Sequence, residues 1–232
     1  MDKITAVIPA AGQGRRMKSY LNKQFLLLKG MPIIVHTLRV FQAATVIDEI
    51  ILVCGEGEDG YYRKEILHNF EINKPTRVLT GGRERQDSVF RGLCGVSGDS
   101  GYVMVHDGAR PLVTVEMISR LVDEVKQCKA VVAGVPVKDT IKRTDAGGII
   151  TETLQRERLW SIQTPQVFAR DLLTRAHEQA RAVDFYGTDD AALVERMGVP
   201  VKVVPGSYDN IKITTPEDIL IAETILLRRG NR

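Results

Sequence analysis

The sequence predicts an α/β chain built on a mostly parallel sheet with helices on both faces. Short β-branched runs recur along the 232 residues, separated by stretches with helical spacing. Hydrophobic residues make up 44% and charged residues 26%, enough for a sizeable core and unlike a disordered or fibrous chain. A length of 232 residues is about one and a half times the usual ~150-residue domain, so one domain over 1–232 with an elaboration is expected.

The elements follow in order. Ile4 to Ile8 is an apolar run that goes straight into P-A-A-G-Q-G-R-R-M. Ile34, Leu38 and Phe41 share one helical face and lead to the second run, Glu49 to Val53. Arg77 to Leu79 and Tyr102 to Val105 are the third and fourth runs, with a helix start at Asp87-Ser88 between them. Met117, Leu121 and Val125 recur at four-residue steps after Pro111 and Glu116, and Val131 to Val135 ends the regular alternation.

The pattern then breaks between Val137 and Trp160. T-I-K-R-T and I-I-T-E-T flank D-A-G-G, which predicts two strands joined by a Gly-containing turn. A lone hairpin is marginally stable in water, so 137–160 is expected to be an arm packed on a second copy of the chain. An antiparallel edge on the main sheet is the alternative. Farther on, Thr188 before Asp189 and Asp190 reads as a helix N-cap, and Pro216-Glu217-Asp218 as another helix start. Lys212 lies in a β-branched run that reads as a strand, where an inward lysine would want an anion. No internal repeat or long linker interrupts the chain.

Several classes are excluded. Lys+Arg 32 against Asp+Glu 29 leaves +3, too small and too evenly spread for a nucleic-acid binder. Cys54, Cys94 and Cys128 form no C-x-x-C pair, so neither a disulfide framework nor a zinc site is expected. M-D-K-I-T-A-V-I-P lacks the core of a signal peptide, and no stretch approaches the ~18 apolar residues of a membrane span. A cytoplasmic protein without membrane or nucleic-acid partners is expected.

Ligands of open α/β sheets collect at the carboxyl ends of strands, so the loops after Ile8, Leu79 and Val105 are the places to look. In the first, Ala10, Ala11, Gly12 and Gly14 let the backbone approach a ligand, and their N–H groups can form an anion site. The loop is no P-loop, because no G-K-[ST] follows. It is a poor dinucleotide fingerprint too, because Met17 holds the third glycine position and no ribose acid follows. Arg15, Arg16, Lys18 and Lys23 crowd the same turn, a charge density that a nucleoside triphosphate would neutralise. Arg15 and Lys18 taken singly also fit a solvated loop.

The second loop, G-G-R-E-R-Q-D-S-V, offers Gly82 for a flat base or ribose and Ser88 for a hydroxyl at a helix start. A plain helix cap at Asp87-Ser88 is the other reading. The third, V-H-D-G-A-R-P, places Asp107 at a strand end, where a magnesium-bound polyphosphate needs a carboxylate. Arg110 suits the phosphate of a second substrate or a structural ion pair. His106 alternates to the opposite face and reads as structural, and His36, His68 and His177 show no ligand spacing. Arg156, Thr164, Thr188, Asp209 and Lys212 are further candidates on residue type alone.

Taken together and in order, P-A-A-G-x-G-x-R-M, N-K-Q-F, G-G-x-x-R-x-D-S-V, H-D-G-A-R-P, V-K-D-T-I-K, Q-T-P-Q and D-N-I-K-I-T resemble the 2-C-methyl-D-erythritol 4-phosphate cytidylyltransferase family along the whole chain. The resemblance implies a Rossmann-like nucleotidyltransferase (GT-A-like) fold, a homodimer through a swapped arm, and CTP with magnesium or another divalent cation. It implies that Ala10, Ala11, Gly12, Gly82 and Ser88 surround the cytidine, that Gly14, Arg16 and Lys23 hold the triphosphate, and that Asp107 binds the metal. It further implies that Arg110, Thr188 and Lys212 receive the methylerythritol phosphate, with Thr140, Arg156 and Thr164 on the arm side. Arg16, Lys23 and Lys212 become the catalytic set. Gly108 departs from the family pattern, in which alanine is common. A pentitol cytidylyltransferase using ribitol 5-phosphate shares the scaffold, and a nucleotide-binding module without turnover is the reading from another class.

Overall fold

The computed structural model describes residues 2–12 and 22–230. Strand β1 (Lys3–Pro9) enters first and takes a place inside the sheet. Two short strands, β2 (Leu27–Leu28) and β3 (Met31–Pro32), form a separate ribbon before helix α1 (Ile33–Ala43). Next come β4 (Glu49–Cys54), a helical segment α2 (Asp59–Tyr61) that continues as a π-helix over Tyr62–His68, and β5 (Thr76–Thr80). Helix α3 (Arg85–Cys94), β6 (Ser100–Val105), α4 (Val115–Cys128) and β7 (Ala130–Pro136) continue the alternation. The hairpin β8 (Lys142–Thr144) and β9 (Ile150–Thr153) precedes β10 (Trp160–Ala169) and α5 (Arg170–Ala182). Helix α6 (Asp190–Arg196), β11 (Lys202–Pro205) and α7 (Pro216–Gly230) close the described chain.

Seven strands form one sheet in the order β11-β7-β10-β6-β1-β4-β5. Every pairing between neighbours is parallel except those of β10, which runs antiparallel to both β6 and β7. The mostly parallel sheet expected from the alternating runs is therefore present. Burial on both faces explains why β1 is apolar from Ile4 to Ile8 except at Thr5. Ile4, Ala6 and Ile8 pack with Ile34, Leu38 and Phe41 of α1 and with Leu121 and Val125 of α4. Val7 turns the other way, into a second core with Val89 and Leu93 of α3 and Phe168 and Leu172. Phe168 is fully buried there. Phe168→Ala is expected to cost about 3–5 kcal/mol in urea unfolding, as for other large-to-small core changes.

The sequence reading does not anticipate strand β10, which carries Q-T-P-Q. Pro165 is accommodated where the register with β7 shifts between Ile162 and Gln166, so no ladder hydrogen bond needs its missing N–H. The run around Lys212 is no strand: 211–214 pairs with no other strand. It is held by Ile213 N–H donating to the Ala109 carbonyl (2.8 Å) and by Asp218, which accepts from the Thr214 and Thr215 N–H groups. β-branched residues here serve a backbone that crosses the loop after β6.

The hairpin β8–β9 is a two-stranded sheet of its own, which removes the alternative of an edge on the main sheet. All of its strand residues are exposed, and Ile149 and Ile150 are 67% and 59% accessible.

Candidate active site

At the carboxyl ends of β1, β5 and β6 the following loops meet around a cleft of about 150 Å³. Pro9, Ala11 and Gly12 come from the first loop, Gly82 to Arg85 from the second, and Asp107 to Ala109 from the third; Lys23 and Lys212 complete the wall. Close approach of the first two loops requires a glycine. A Cβ on Gly81 would lie 2.7 Å from Ser88 Oγ and 2.9 Å from Ala11 Cβ, and the Gly81 N–H donates to the Cys54 carbonyl. A Cβ on Gly82 would sit 2.3 Å from Asp87 Cβ. Ala10 is fully buried, its N–H on the Val53 carbonyl, so Ala11 and Gly12 rather than Ala10 form the wall.

Ser88 lines the cleft but does not sit at a free helix end. It lies one turn into α3, where its N–H donates to the Glu84 carbonyl, while its hydroxyl accepts from Gly82 N–H and donates to that carbonyl. Glu84 is the N-cap, and Asp87 one turn in completes a capping box by accepting from the Glu84 N–H at 3.1 Å. The hydroxyl thus fixes the second loop against its own helix.

Charge concentrates on Asp107, whose side chain is only 10% exposed. Arg85 Nε donates to Oδ1 at 2.9 Å; Lys212 Nζ stands 2.8 Å and Arg110 Nε 3.8 Å from Oδ2. Burial alone would push this carboxyl up, but Arg85, Lys212 and Arg110 hold it well below the usual carboxylate range. It is therefore an anion at any working pH. Its backbone is fixed as well, the Asp107 N–H donating to Thr164 Oγ1 at 3.0 Å. His106 Nε2 faces the Arg110 carbonyl, which can only accept, so Nε2 carries the proton and Nδ1 accepts from the Thr164 hydroxyl. Burial pushes His106 down to about 4, in keeping with a neutral structural ring.

Arg85 is the residue the sequence reading missed. It opens α3, where the helix dipole disfavours a cation, and that misplaced charge was the available signal that an anion must sit beside it. The structure supplies two, Asp107 and Asp190, the latter accepting from Arg85 Nη1 at 2.8 Å. Burial weakens the charged form of Arg85, but Asp190 and Asp107 outweigh it and raise the pKa.

The remaining candidates differ in where they lie. Lys23 and Lys212 are on the cleft wall, and Lys23 Nζ donates to the Ile213 carbonyl at 3.4 Å, beside Lys212 in the chain. Arg110 donates to the Asn210 carbonyl at 2.8 Å and stands behind Asp107, so it holds the Lys212 segment and fits the ion-pair reading. Thr164 is buried, with its hydroxyl spent on Asp107 and His106 rather than turned to the cleft. Thr140 and Arg156 lie on the exposed arm, outside the cleft lining, with Arg156 Nη1 donating to the Lys138 carbonyl. Thr188 is exposed and is not the cap of α6. Asp189 is, its Oδ1 accepting from Ala192 N–H, because the extended backbone of an N-cap falls one residue later than expected. Asp209 pairs with Arg228 and Arg229 of α7. Gly14, Arg15, Arg16 and Lys18 lie outside the described residues.

Among the described residues, no three His, Cys, Asp or Glu side chains converge as a protein-only metal cage. Magnesium usually keeps several waters and takes one or two carboxylates plus substrate phosphates. A single ionised carboxylate on the wall of a cationic cleft fits a magnesium ion shared with a polyphosphate.

Comparison with known proteins agrees with the geometry. The sequence model of the family described as 2-C-methyl-D-erythritol 4-phosphate cytidylyltransferase matches residues 4–228. A protein of that name from Syntrophus aciditrophicus is 47% identical over 231 residues, 99% of this chain and 98% of that protein. Another from Bacillus velezensis is 51% identical over 95% of this chain and 94% of its own length. The crystal structure of the 4-diphosphocytidyl-2C-methyl-D-erythritol synthase of Anaerococcus prevotii superposes with a TM-score of 0.87 at 35% identity, covering 97% of this chain and 96% of that one.

Proposed function

Because the chain belongs to the 2-C-methyl-D-erythritol 4-phosphate cytidylyltransferase family, we propose a division of labour among the residues of its cleft. The protein is a nucleotidyltransferase of isoprenoid biosynthesis. It transfers the cytidylyl group of CTP to 2-C-methyl-D-erythritol 4-phosphate, giving 4-diphosphocytidyl-2-C-methyl-D-erythritol and pyrophosphate. The observation that carries the assignment of roles is the convergence of three strand-end loops and two lysines around one ionised aspartate.

Ala11, Gly12, Gly82 and Ser88 form the floor for the cytidine, with Ala10 setting the first loop from beneath. Lys23, with Gly14 and Arg16 from the preceding loop, holds the triphosphate. Asp107 would hold a magnesium ion, which would neutralise phosphate charge and orient the α-phosphorus. The acceptor phosphate has a second pKa near ~6, as in a phosphoserine, so it is already largely dianionic at pH 7 and needs no side-chain base. One of its oxygens attacks the α-phosphorus as the bond to the pyrophosphate oxygen breaks. The chain's contribution is therefore position and charge: Lys212 brings the acceptor phosphate to Asp107's side of the cleft, and Lys23 and Arg16 stabilise the anion in flight. Thr188 completes the acceptor pocket, Arg110 supports it from behind by holding Asp107 and the Lys212 segment, and Thr164 keeps Asp107 in place.

The arm, 137–160, packs against a second copy and brings Thr140 and Arg156 to the partner's acceptor pocket. The exposed Ile149, Ile150, Trp160 and Ile162 support an apolar partner there. Light scattering is expected to give twice the chain mass of 25.8 kDa, and a monomer would overturn the arm reading. Arg156→Ala is expected to raise KM for the sugar phosphate by ~10-fold, as for loss of a charged hydrogen bond worth about 1.5 kcal/mol, and leave KM for CTP unchanged. A selective loss of CTP binding would refute that placement. No helix among the described residues is long and apolar enough to cross a membrane, in keeping with a protein that works in the cytoplasm.

The test of the whole reading is pyrophosphate release from CTP and Mg²⁺, with 2-C-methyl-D-erythritol 4-phosphate and D-ribitol 5-phosphate compared in parallel. Strong preference for the first is expected. Preference for the second reassigns the acceptor pocket, and silence with both reduces the site to nucleotide binding.

A further inference from the structure

From the cleft wall a line of charge runs inward from Asp107 through Arg85 to Asp190 and His177, and the reaction as described gives its last three members no role. His177 Nε2 meets Asp190 Oδ1 at 3.1 Å, Arg85 Nη1 donates to Asp190 Oδ2 at 2.8 Å, and Arg85 Nε donates to Asp107 Oδ1 at 2.9 Å. His177 and Asp190 are 0% and 1% exposed. Asp190 is immobilised from both sides in the chain. Asp189 caps α6 while holding Gln166 Nε2 of β10 at 2.7 Å, and the Ala191 N–H donates to Gln166 Oε1. The start of α6 is therefore pinned to the strand next to β6, whose end presents Asp107.

The two oxygens of Asp107 are not equivalent in this arrangement. Oδ1 is gripped by a planar guanidinium whose other arm is bound to a buried carboxylate, so its direction is fixed by two residues at once. Oδ2 faces a lysine whose side chain is 36% exposed and an arginine nitrogen at 3.8 Å, partners that can yield. A carboxylate that binds a metal through one oxygen is oriented when an outer-shell partner holds the other.

We infer that Arg85, anchored by Asp190, is the positioning residue that fixes the Asp107 carboxylate and leaves Oδ2 as the exchangeable oxygen for the divalent cation. This rests on the reading of Asp107 as the metal carboxylate. Arg85 and Asp190 act through Asp107, as outer-shell partners orient metal ligands elsewhere, where their loss typically costs 10–100-fold in metal affinity.

Asp190→Asn keeps the size of the side chain and removes the charge that anchors Arg85, and Asp190 is not on the cleft wall. Arg85→Lys keeps a cation but cannot span two carboxylates. Two readouts apply to each: the Mg²⁺ concentration for half-maximal turnover at saturating CTP, and binding of Mn²⁺ to the CTP complex followed by the loss of the free-ion EPR signal. Both are expected to weaken by at least ~10-fold, with CTP affinity in EDTA unchanged in Asp190→Asn, whose side chain does not line the cleft. A purely structural ion pair would lower the melting temperature and leave both metal curves at wild-type positions; that result overturns the inference. Should Asp190→Asn fail to fold, Arg85→Lys reads the same shift. Asp107→Asn separates the two levels. If it moves the metal curves and the other variants do not, the positioning role alone falls; if it too leaves them unmoved, the metal reading of Asp107 falls and takes the inference with it.

Discussion

Asp107→Asn is expected to lower turnover by at least ~10³-fold and to destabilise the fold by about 3–5 kcal/mol at pH 7. The first figure follows from the several kcal/mol that charge stabilisation at a metal-bearing carboxylate contributes, about 4 kcal/mol being three powers of ten in rate. The second follows from what the substitution leaves behind. Arg85, Arg110 and Lys212 all face this one carboxylate, and Arg85 and Arg110 have side chains only 29% and 13% exposed. Removing one partner of a buried ion cluster costs far more than the cluster contributes as a whole, because the remaining charges stay desolvated. The pH dependence has a definite sign. Asp107 titrates well below the ~3.9 of an unfolded aspartate, so its contribution is complete above about pH 4 and is lost as the pH falls toward its folded value. The gap between variant and wild type in urea unfolding should accordingly be constant from pH 6 to 8 and close in acid. Near-wild-type turnover with a lowered unfolding midpoint would mean that Asp107 only neutralises its neighbours.

What the sequence could and could not disclose follows from the range of each interaction. Strand β1 was legible because both of its faces are buried, so Ile4 to Ile8 is apolar apart from Thr5, whose buried hydroxyl is hydrogen-bonded to Glu49 and Ser100. The hairpin was legible from D-A-G-G, a local turn signal, and the cleft loops from glycines that must sit where backbones nearly touch, Gly81 against Ala11 being the clearest. Strand β10 was hidden by Pro165, since whether a proline interrupts a strand or sits at a register shift depends on the neighbouring strand. The Lys212 run misled in the opposite sense: Ile211, Ile213 and Thr214 are β-branched for a loop that packs over Leu28, Ile33 and Leu112. Thr164 looked like a ligand residue, but its hydroxyl is used 57 residues away at the Asp107 N–H. Likewise, nothing local to Arg85 shows that its second anion lies 105 residues downstream.

Lys23→Ala is expected to lower kcat and kcat/KM together by at least ~10²-fold while leaving the melting temperature within a few degrees of wild type. One lysine contributes very differently in two settings. As a structural contact, its Nζ donates to the Ile213 carbonyl at 3.4 Å, a long hydrogen bond at a half-buried site, and such surface-type contacts contribute roughly 0–1 kcal/mol. For a chain of this size 1 kcal/mol shifts the melting temperature by only about 2–4 °C. As a cation on the wall of the cleft proposed to take the triphosphate, it would face charge that grows as pyrophosphate departs, where a single well-aimed cation contributes ~10³–10⁵ in the best cases. Its position also matters for Lys212, because the carbonyl it holds is that of the next residue. A loss of structure would thus show first as a raised KM for the acceptor phosphate, whereas a transition-state role lowers kcat at saturating concentrations of both substrates. Lys23→Arg should recover part of the rate, since it restores charge with different geometry. A variant that turns over near the wild-type rate, or one whose only change is in KM for the acceptor, would remove Lys23 from the catalytic set and leave Arg16 and Lys212 to carry the charge.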